Sequence, residues 1–396
     1  MPNFSGQLRS NEIFAAIYNM IISQRVFVDN IEGGAFDSLV NRARVDGSLY
    51  GDSKLFYSTD VLKTHAWGAD SEATNLLALA RPKSPECQEI VLDVFRQIDL
   101  TVDYYLSKRA WQDEGAFQSF TSVMLGWVTE TKKVHDLTTY NSFFGTNETN
   151  IGRQLVNVDI TSAIANASSE TEKNQLSAMA IGEALANLIV DMKDVSRDFN
   201  DYGQLRAFNE DTIKMVFNAK HVNRIKYIDL PTIFHKEGIE AKVTKDILPA
   251  RYFGTVITSS NISSFSDSTP AAGKPIDSDN NQYTPGSNHA NGCIRSLVEK
   301  EVTVGGVTKN YFPGDELPAG ATIVASTGDW LPGEVYIEKD DVICKVYTEE
   351  PPFMSAFEVG TSFFNPKSLT ENHYLTWGRN RLEHLKGKPF ITVKAV

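Results

Sequence analysis

The residues able to do chemistry in this sequence are few and scattered. His373 and His384 lie on one segment, LTENHYLTWGRNRLEHL, which reads as a single tail helix that brings them to one face after three turns. A metal site needs a third ligand within reach, and none stands nearby, so both read as surface or packing histidines. Asp277-Ser278-Asp279-Asn280-Asn281 imitates the opening of a calcium loop. Its sixth position is Gln282 and its twelfth Asn288, where such a loop needs glycine and a bidentate Glu. A polar surface turn is the simpler reading. Glu338, Asp340 and Asp341 offer carboxylates for acid–base work, but they fall in a segment whose apolar residues alternate, which suits a solvated hairpin turn. Cys87, Cys293 and Cys344 have no adjacent His or Arg to favour a thiolate. The chain contains no G-x-x-x-x-G-K-[ST] loop, G-x-G-x-x-G, H-E-x-x-H or G-x-S-x-G elbow. No catalytic, cofactor-binding or metal-ligating residue is assigned, and the expectation is a protein that is not an enzyme and carries no cofactor.

Bulk properties narrow the class. With 396 residues, 41% of them hydrophobic, the chain can bury a large core in two or three domains. Its net charge of −12 argues against general nucleic-acid binding, because neutralising phosphates needs an excess of Lys and Arg. Three distant cysteines give neither a disulfide framework nor metal spacing, which fits a reducing compartment. The apolar run Ile13 to Ile22 is too short to span a bilayer, and no cleavage site follows it. Asn147, Asn166 and Asn261 head N-x-S/T triplets that carry no weight without a secretory signal.

The elements that would position any site are clearer than the site. In DEGAFQSFTSVMLGWVTETKKVHDLTTYNSFF, the residues Phe117, Phe120, Met124, Trp127, Val134 and Leu137, with Thr131 filling the gap in the row, recur every three or four positions, predicting one long helix over 113–144. Asp113 and Glu114 place negative charge where the helix dipole favours it. At 1.5 Å per residue such a rod is roughly 35–45 Å long. It is a beam, with nothing reactive on it. Residues 11–24 read as a short amphipathic helix, and 32–52 as an extended arm. Between 54 and 85, Phe56, Tyr57, His65, Trp67, Leu76 and Leu77 are strewn among Gly, Ser and Asp without a period. Such a segment either buries these residues on another chain or is a loop folded over its own domain, and the first is the expectation. Gln88 to Trp111 alternates like one long strand or two.

RQLVNVDI reads as a strand, and Ser169 with Glu172 as a capping box. The following helix carries Ile181, Leu185, Leu188, Met192, Val195 and Phe199 on one side. TIKMVFNAKHVNRI predicts a strand, a cap at Asn218 and a short helix; YFGTVITSSN predicts a second strand. Ser263 to Ala290 is a polar excursion, after which hairpins turn at Gly305-Gly306 and around Pro318 to Gly320. GEVYIEKDDVICKVY then reads as a hairpin, and KPFITVKAV as a final strand. No internal repeat is present.

The order of these parts resembles the major capsid proteins of tailed double-stranded DNA bacteriophages, the Hong Kong 97 type, and among them those of small short-tailed podophages. The resemblance rests on the strand–Asn218–helix unit, the strand led by Gly254 with Val256 and Ile257, and the tail NHYLTWGRNRLEHLKGKPFITVKAV. Thr255 stands where the family pattern has proline. The resemblance implies an α+β fold: 1–49 an N-terminal arm, 50–110 an extended loop and its strands, 111–170 a peripheral domain with the spine helix, 171–262 and 332–362 an axial domain, 263–331 a β-rich surface insertion, and 363–396 a closing helix and strand. It further implies homo-oligomeric pentamers and hexamers closing an icosahedral shell. Double-stranded DNA would be packaged without sequence-specific binding. Portal and scaffolding proteins would be partners, and no membrane. The location would be the virion, after synthesis in the host cytoplasm. In that setting Phe56, Tyr57, His65, Trp67, Leu76 and Leu77 become intersubunit contacts. Competing readings are an encapsulin-like compartment shell, a hydrolase carrying 263–331 as a binding appendage, and an extracellular adhesin.

Overall fold

A computed structural model describes residues 37–45, 53–64, 81–103, 114–226, 244–261, 293–318, 321, 323 and 328–396. The chain divides into two units, one of residues 1–35, 95–134 and 357–377, the other of residues 36–94, 135–356 and 378–396. In chain order the described elements are helix α1 (Asp37–Ala43), strands β1 (Arg44–Val45), β2 (Ser53–Ser58) and β3 (Glu86–Asp103), and helix α2 (Glu114–Thr146). Strand β4 (Leu155–Val158), helices α3 (Ile160–Ile164) and α4 (Glu170–Lys193), strand β5 (Lys214–Asn218) and helix α5 (Ala219–Lys226) follow. The remaining strands are β6 (Thr244–Leu248), β7 (Gly254–Val256), β8 (Ile294–Ser296), β9 (Lys300–Val304), β10 (Val307–Tyr311), β11 (Val335–Glu338), β12 (Val342–Tyr347), β13 (Phe353–Asn365), β14 (Thr370–Asn380) and β15 (Phe390–Ala395). The mixture is α+β, as expected.

The larger unit is built on a five-stranded mixed sheet in the order β4-β15-β12-β5-β6. Both faces of its central strand are covered, and all six residues of β12 are buried. One face packs on α4, where Ile181, Leu185, Leu188, Ile189 and Met192 meet Met215, Cys344, Val346, Ile391 and Val393. The helix starts as its sequence says: Ser169 Oγ accepts from Glu172 N–H. The returning carboxylate bond goes to Ser168 N–H rather than to Ser169, so the box is one residue looser than predicted. The helix also stops at Lys193, and Val195 and Phe199 lie beyond it.

The opposite face receives the C-terminal turns of α2 and, beside them, α1. Tyr140, Phe144, Tyr347, Phe353 and Phe390 form an aromatic cluster, with Phe144 edge-on to Tyr347 at 5.1 Å and to Phe390 at 5.2 Å. Helix α1 corrects the expected extended arm over 32–52. Leu39, Val40 and Ala43 are buried against this cluster, and burying a Leu or Val contributes roughly 1.5–3 kcal/mol. Arg42 anchors the helix by pairing with Asp246 and, at 2.9 Å, with the buried Glu350, which Lys214 also reaches at 2.7 Å.

Three further sheets complete the described fold, in the orders β7-β11-β8, β10-β9 and β1-β13-β14-β3-β2. The β9–β10 hairpin turns at Gly305-Gly306 as predicted, Val304 facing Val307. Both glycines have positive φ, which a two-residue hairpin turn of this hand requires. Strands β11 and β12, expected as a hairpin, do not pair. Residues 339–341 pass the chain from one sheet to another, because β11 is already bonded on both edges by β7 and β8. The predicted closing helix is also corrected: Leu369–Leu385 contains strand β14. TENHYLTWGRN alternates as well as it repeats by turns, and pairing within its five-stranded sheet decides the matter.

Gly126 and Gly145 give opposite signs in one helix. A Cβ at Gly126 meets nothing within 4 Å, whereas at Gly145 it would collide with the Tyr252 carbonyl. Gly126→Ala is therefore expected to stabilise the isolated chain by about 0.5–1 kcal/mol, the propensity gain alone. Gly145→Ala is expected to destabilise it despite the same gain, as chemical denaturation of the two variants will show.

Candidate functional site

Strand β12 reads VICKVY, and its one charged residue is inside. Lys345 Nζ donates to the Asn147 carbonyl at 2.6 Å and to Thr392 Oγ1 at 2.9 Å, with the Phe390 ring at 5.8 Å. The reason lies in α2. A helix leaves its last carbonyls unpaired and gathers negative potential at its C-terminus. Helix α2 has no basic residue in its last turn, and Asn147 is the first residue past it. Lys345 supplies the missing cation from a neighbouring strand. Burial pushes its ammonium down to about pKa 7, while the nearby Glu148 carboxylate opposes that shift.

The polar chain continues from there. Asn147 Nδ2 lies 3.2 Å from His384 Nδ1, and His384 Nε2 lies 2.8 Å from Asp201 Oδ2. Gln154 donates to Asp201 Oδ1 at 2.7 Å, and its own carbonyl accepts from Phe390 N–H at 3.0 Å. With Nδ1 accepting from the Asn147 amide, the imidazole proton sits on Nε2 and is donated to Asp201. Burial pushes the Asp201 carboxyl up, but the hydrogen bonds from His384 and Gln154 outweigh it and hold the group below its ordinary value. An Asp–His pair is the orienting half of a nucleophilic triad. Here the place of the nucleophile is taken by a carboxamide, whose nitrogen lone pair is delocalised and does not attack, and the arrangement ties four segments together.

The other candidate residues fall apart as chemistry. Glu338 pairs with Arg295 at 2.6 Å, Asp340 pairs with Lys220, and the Asp341 carbonyl accepts from Ala395 N–H at 2.7 Å. His373 lies in β14 beside Glu371 at 3.9 Å, and His384 belongs to the network above, so the two do not share a helix. The cysteines are free thiols, and burial pushes Cys293 up to about 11 and Cys344 higher still. Residues 277–288 lie outside the described residues. Among the described residues, no group of three or more His, Cys, Asp or Glu could hold a metal, and no helix is long and apolar enough to cross a membrane.

The expected contact residues behave differently. Phe56 is half-buried and Tyr57 is 65% exposed, on opposite faces of β2; His65, Trp67, Leu76 and Leu77 lie outside the described residues. Strand β2 pairs with β3 so that Ser53 faces Val91, Leu55 faces Glu89 and Tyr57 faces Cys87. Gln88, Ile90 and Leu92 are buried on the other side of β3. This ribbon thus has one covered face and one bare face bearing Leu55, Tyr57 and Val91. Its root is clamped: Arg197 bonds Asp60 at 2.7 Å, Arg206 bonds Ser58 Oγ at 3.1 Å, and Gln88 bonds the His384 carbonyl at 2.9 Å. The Arg197 hydrogen bond holds the Asp60 carboxyl down at about 2.

No protein-family model and no curated protein sequence matches the chain. Solved structures do. A chain in the capsid structure of Staphylococcus phage Andhra superposes with a TM-score of 0.53 at 9% identity, over 90% of this chain and 84% of that one. A chain in the structure of the head fiber and inner core protein gp22 of native bacteriophage P68 matches with a TM-score of 0.53 at 8% identity, over 89% and 83%. This is a phage capsid fold. Identity that low leaves the inner residues unconstrained, and the Lys345 network was not foreseen from the sequence. The signal was present, since a lone Lys inside VICKVY has nowhere to go but a helix end or a buried partner.

The Lys345 ammonium makes an alkaline test possible. Below about pH 7 folded and unfolded chains both hold the proton; between there and about pH 10.4 only the unfolded chain does, so stability rises with pH. Denaturant titrations from pH 6 to 10 should show that rise, on the order of a few kcal/mol, and Lys345→Met should abolish it.

Proposed function

We propose that this chain is a major capsid protein that assembles with copies of itself, as hexamers and pentamers, into an icosahedral shell around double-stranded DNA. The observation that carries the reading is the β2–β3 ribbon, bonded at its root to its own chain and bare on one apolar face. Leu55, Tyr57, Val61 and Leu62 are each at least half exposed on and just beyond β2. Adjacent exposed apolar side chains of this kind are what a protein–protein contact covers. A fold shared with a phage capsid chain over most of its length supports the same reading.

In this reading the ribbon belongs to the extended loop of 50–110, with Phe56, Tyr57, His65, Trp67, Leu76 and Leu77 meeting a neighbouring subunit. Residues 1–49 are the arm, α2 is the spine of the peripheral domain, 171–262 and 332–362 form the axial domain, and 263–331 is an insertion. The shell is of the Hong Kong 97 type as small podophages build it. Portal and scaffolding proteins are its partners, and the virion is its location. An acidic chain lets packaged DNA slide without adhering.

Purified protein examined by negative-stain microscopy and sedimentation should give rings or closed shells whose yield rises with concentration. Leu55→Asp with Tyr57→Asp should raise the concentration for half-assembly about tenfold or more, as expected for anchors at an interface, while the circular dichroism of the unassembled chain stays unchanged. A wild-type monomer at every concentration tested would overturn the reading.

A further inference from the structure

Strand β13 outruns its neighbour on one side. Strand β1 pairs with it only at Phe353 and Met354, and beyond that point β14 alone flanks it among the described residues. Every residue from Val359 to Phe364 is exposed, with Phe363 at 61% and Phe364 at 48%. Residues 359–365, VGTSFFN, contain neither a charge nor a proline, the residues that commonly blunt an open edge. Leu369, in the turn to β14, is exposed as well and holds a φ of 53°. Glycine or asparagine would adopt that conformation more readily, so the sequence keeps an apolar side chain there against the preference of the backbone. At the far end of the same sheet order, β2 is bonded to β3 and to no other described strand.

We infer that the outer edge of β13 in one copy takes up the free edge of β2 from a second copy, so that the sheet continues from chain to chain. The inference rests on the shell reading above and names the surface its ribbon meets. An open edge presents backbone N–H and C=O groups in a row, and another strand edge is what matches them. Strand β2 is six residues long, close to the open stretch 359–365. Both bring exposed apolar side chains, Leu55 and Tyr57 on β2, Val359 and Phe363 on β13. Each pair is two or four residues apart and so shares one face of its strand, where cross-strand contacts form. Joining like to like would leave one kind of edge open in every copy. Joining β2 to β13 uses both, and a contact between two different surfaces repeats from copy to copy until it closes a ring.

The test compares amide hydrogen exchange in the unassembled full-length chain and in shells formed from it, read by peptide mass spectrometry. Peptides over 53–58 and over 359–365 should both slow about tenfold or more on assembly, because new ladder bonds protect amides that each edge leaves open. Two variants in a Cys87→Ser background, one with Leu55→Cys and the other with Thr361→Cys, are then mixed, assembled and treated with a short bismaleimide. Links between position 55 of one and position 361 of the other are expected, and neither variant should give them alone. A charge on the open stretch, Ser362→Lys, should raise the half-assembly concentration severalfold with an unchanged circular dichroism spectrum of the unassembled chain. Slowing at 53–58 without slowing at 359–365 overturns the inference and leaves the shell reading standing. Links within assemblies of the Thr361→Cys variant alone would mean that β13 meets its own equivalent, and would overturn it too. Failure of the wild-type chain to assemble overturns both readings.

Discussion

A 33-residue helix must end somewhere, and this one ends inside the protein. That constraint organises the larger unit. The carbonyl groups at a buried helix terminus need donors that water cannot supply, and α2 has no basic residue in its last turn to provide them. Lys345 reaches over from β12, at the centre of the main sheet, and Thr392 on β15 shares the ammonium. Asn147, which gives its carbonyl to Lys345, gives its amide to His384, and His384 is held by Asp201 and Gln154. Helix, sheet and tail are thus registered by one connected set of hydrogen bonds set against the aromatic cluster of Phe144, Tyr347 and Phe390. An apolar residue in place of Lys345 would avoid its desolvation cost but would leave the helix terminus unanswered, which is why a charge is tolerated there.

Against that hydrogen-bonded network stands a ribbon covered on one side only. Ile90 and Leu92 are buried on the chain that carries them, and the residues that alternate with them on β3, Glu89 and Val91, face outward with Leu55 and Tyr57 of β2. Charged clamps at Asp60, Arg197 and Arg206 fix the root. These exposed pairs add little stability, since solvent screens them, but they fix where the ribbon leaves the body. Rigid placement of an apolar face lowers the entropy lost when a partner covers it. A loose loop with the same residues would have to lose that freedom at the moment of contact.

The sequence made elements legible where a single local signal dominated. Helix α2 has a long apolar period, Asn218 accepts from Lys220 N–H at the head of α5, and Gly305-Gly306 admits one kind of turn. It misled where two signals tied or where the deciding partner lay far away. TENHYLTWGRN supports both periods, and only its neighbours in the sheet choose β14. VYIE and VICKVY look like a hairpin because they are adjacent, but each finds better partners elsewhere. Helix α1 is short and polar at its start, and it is helical because Leu39, Val40 and Ala43 find the aromatic cluster. On α2 itself, the predicted apolar row is bare at Trp127, while polar His135, Asn141 and Ser142 are buried. Propensity cannot see that, because tertiary packing decides which face of the helix goes inside, where His135 faces Glu299 at 2.5 Å.

That His135–Glu299 contact bears on the stretch read from sequence as an exposed insertion. Its described part does not stand apart from the unit around it. Tyr311, Leu317 and Trp330 share one core with Ile257, Val335 and Ile337, and β8 bonds directly to β11. Trp330 donates its indole N–H to Ser296 Oγ at 3.2 Å within the same core. A module hung on a linker could be removed with little cost to the rest. Here removal would strip one edge from β11 and expose Ile257, Val335 and Ile337 together, some of the most thoroughly buried apolar residues of the unit. Strand β8 and the residues around Leu317 and Trp330 are therefore part of how β7 and β11 are held.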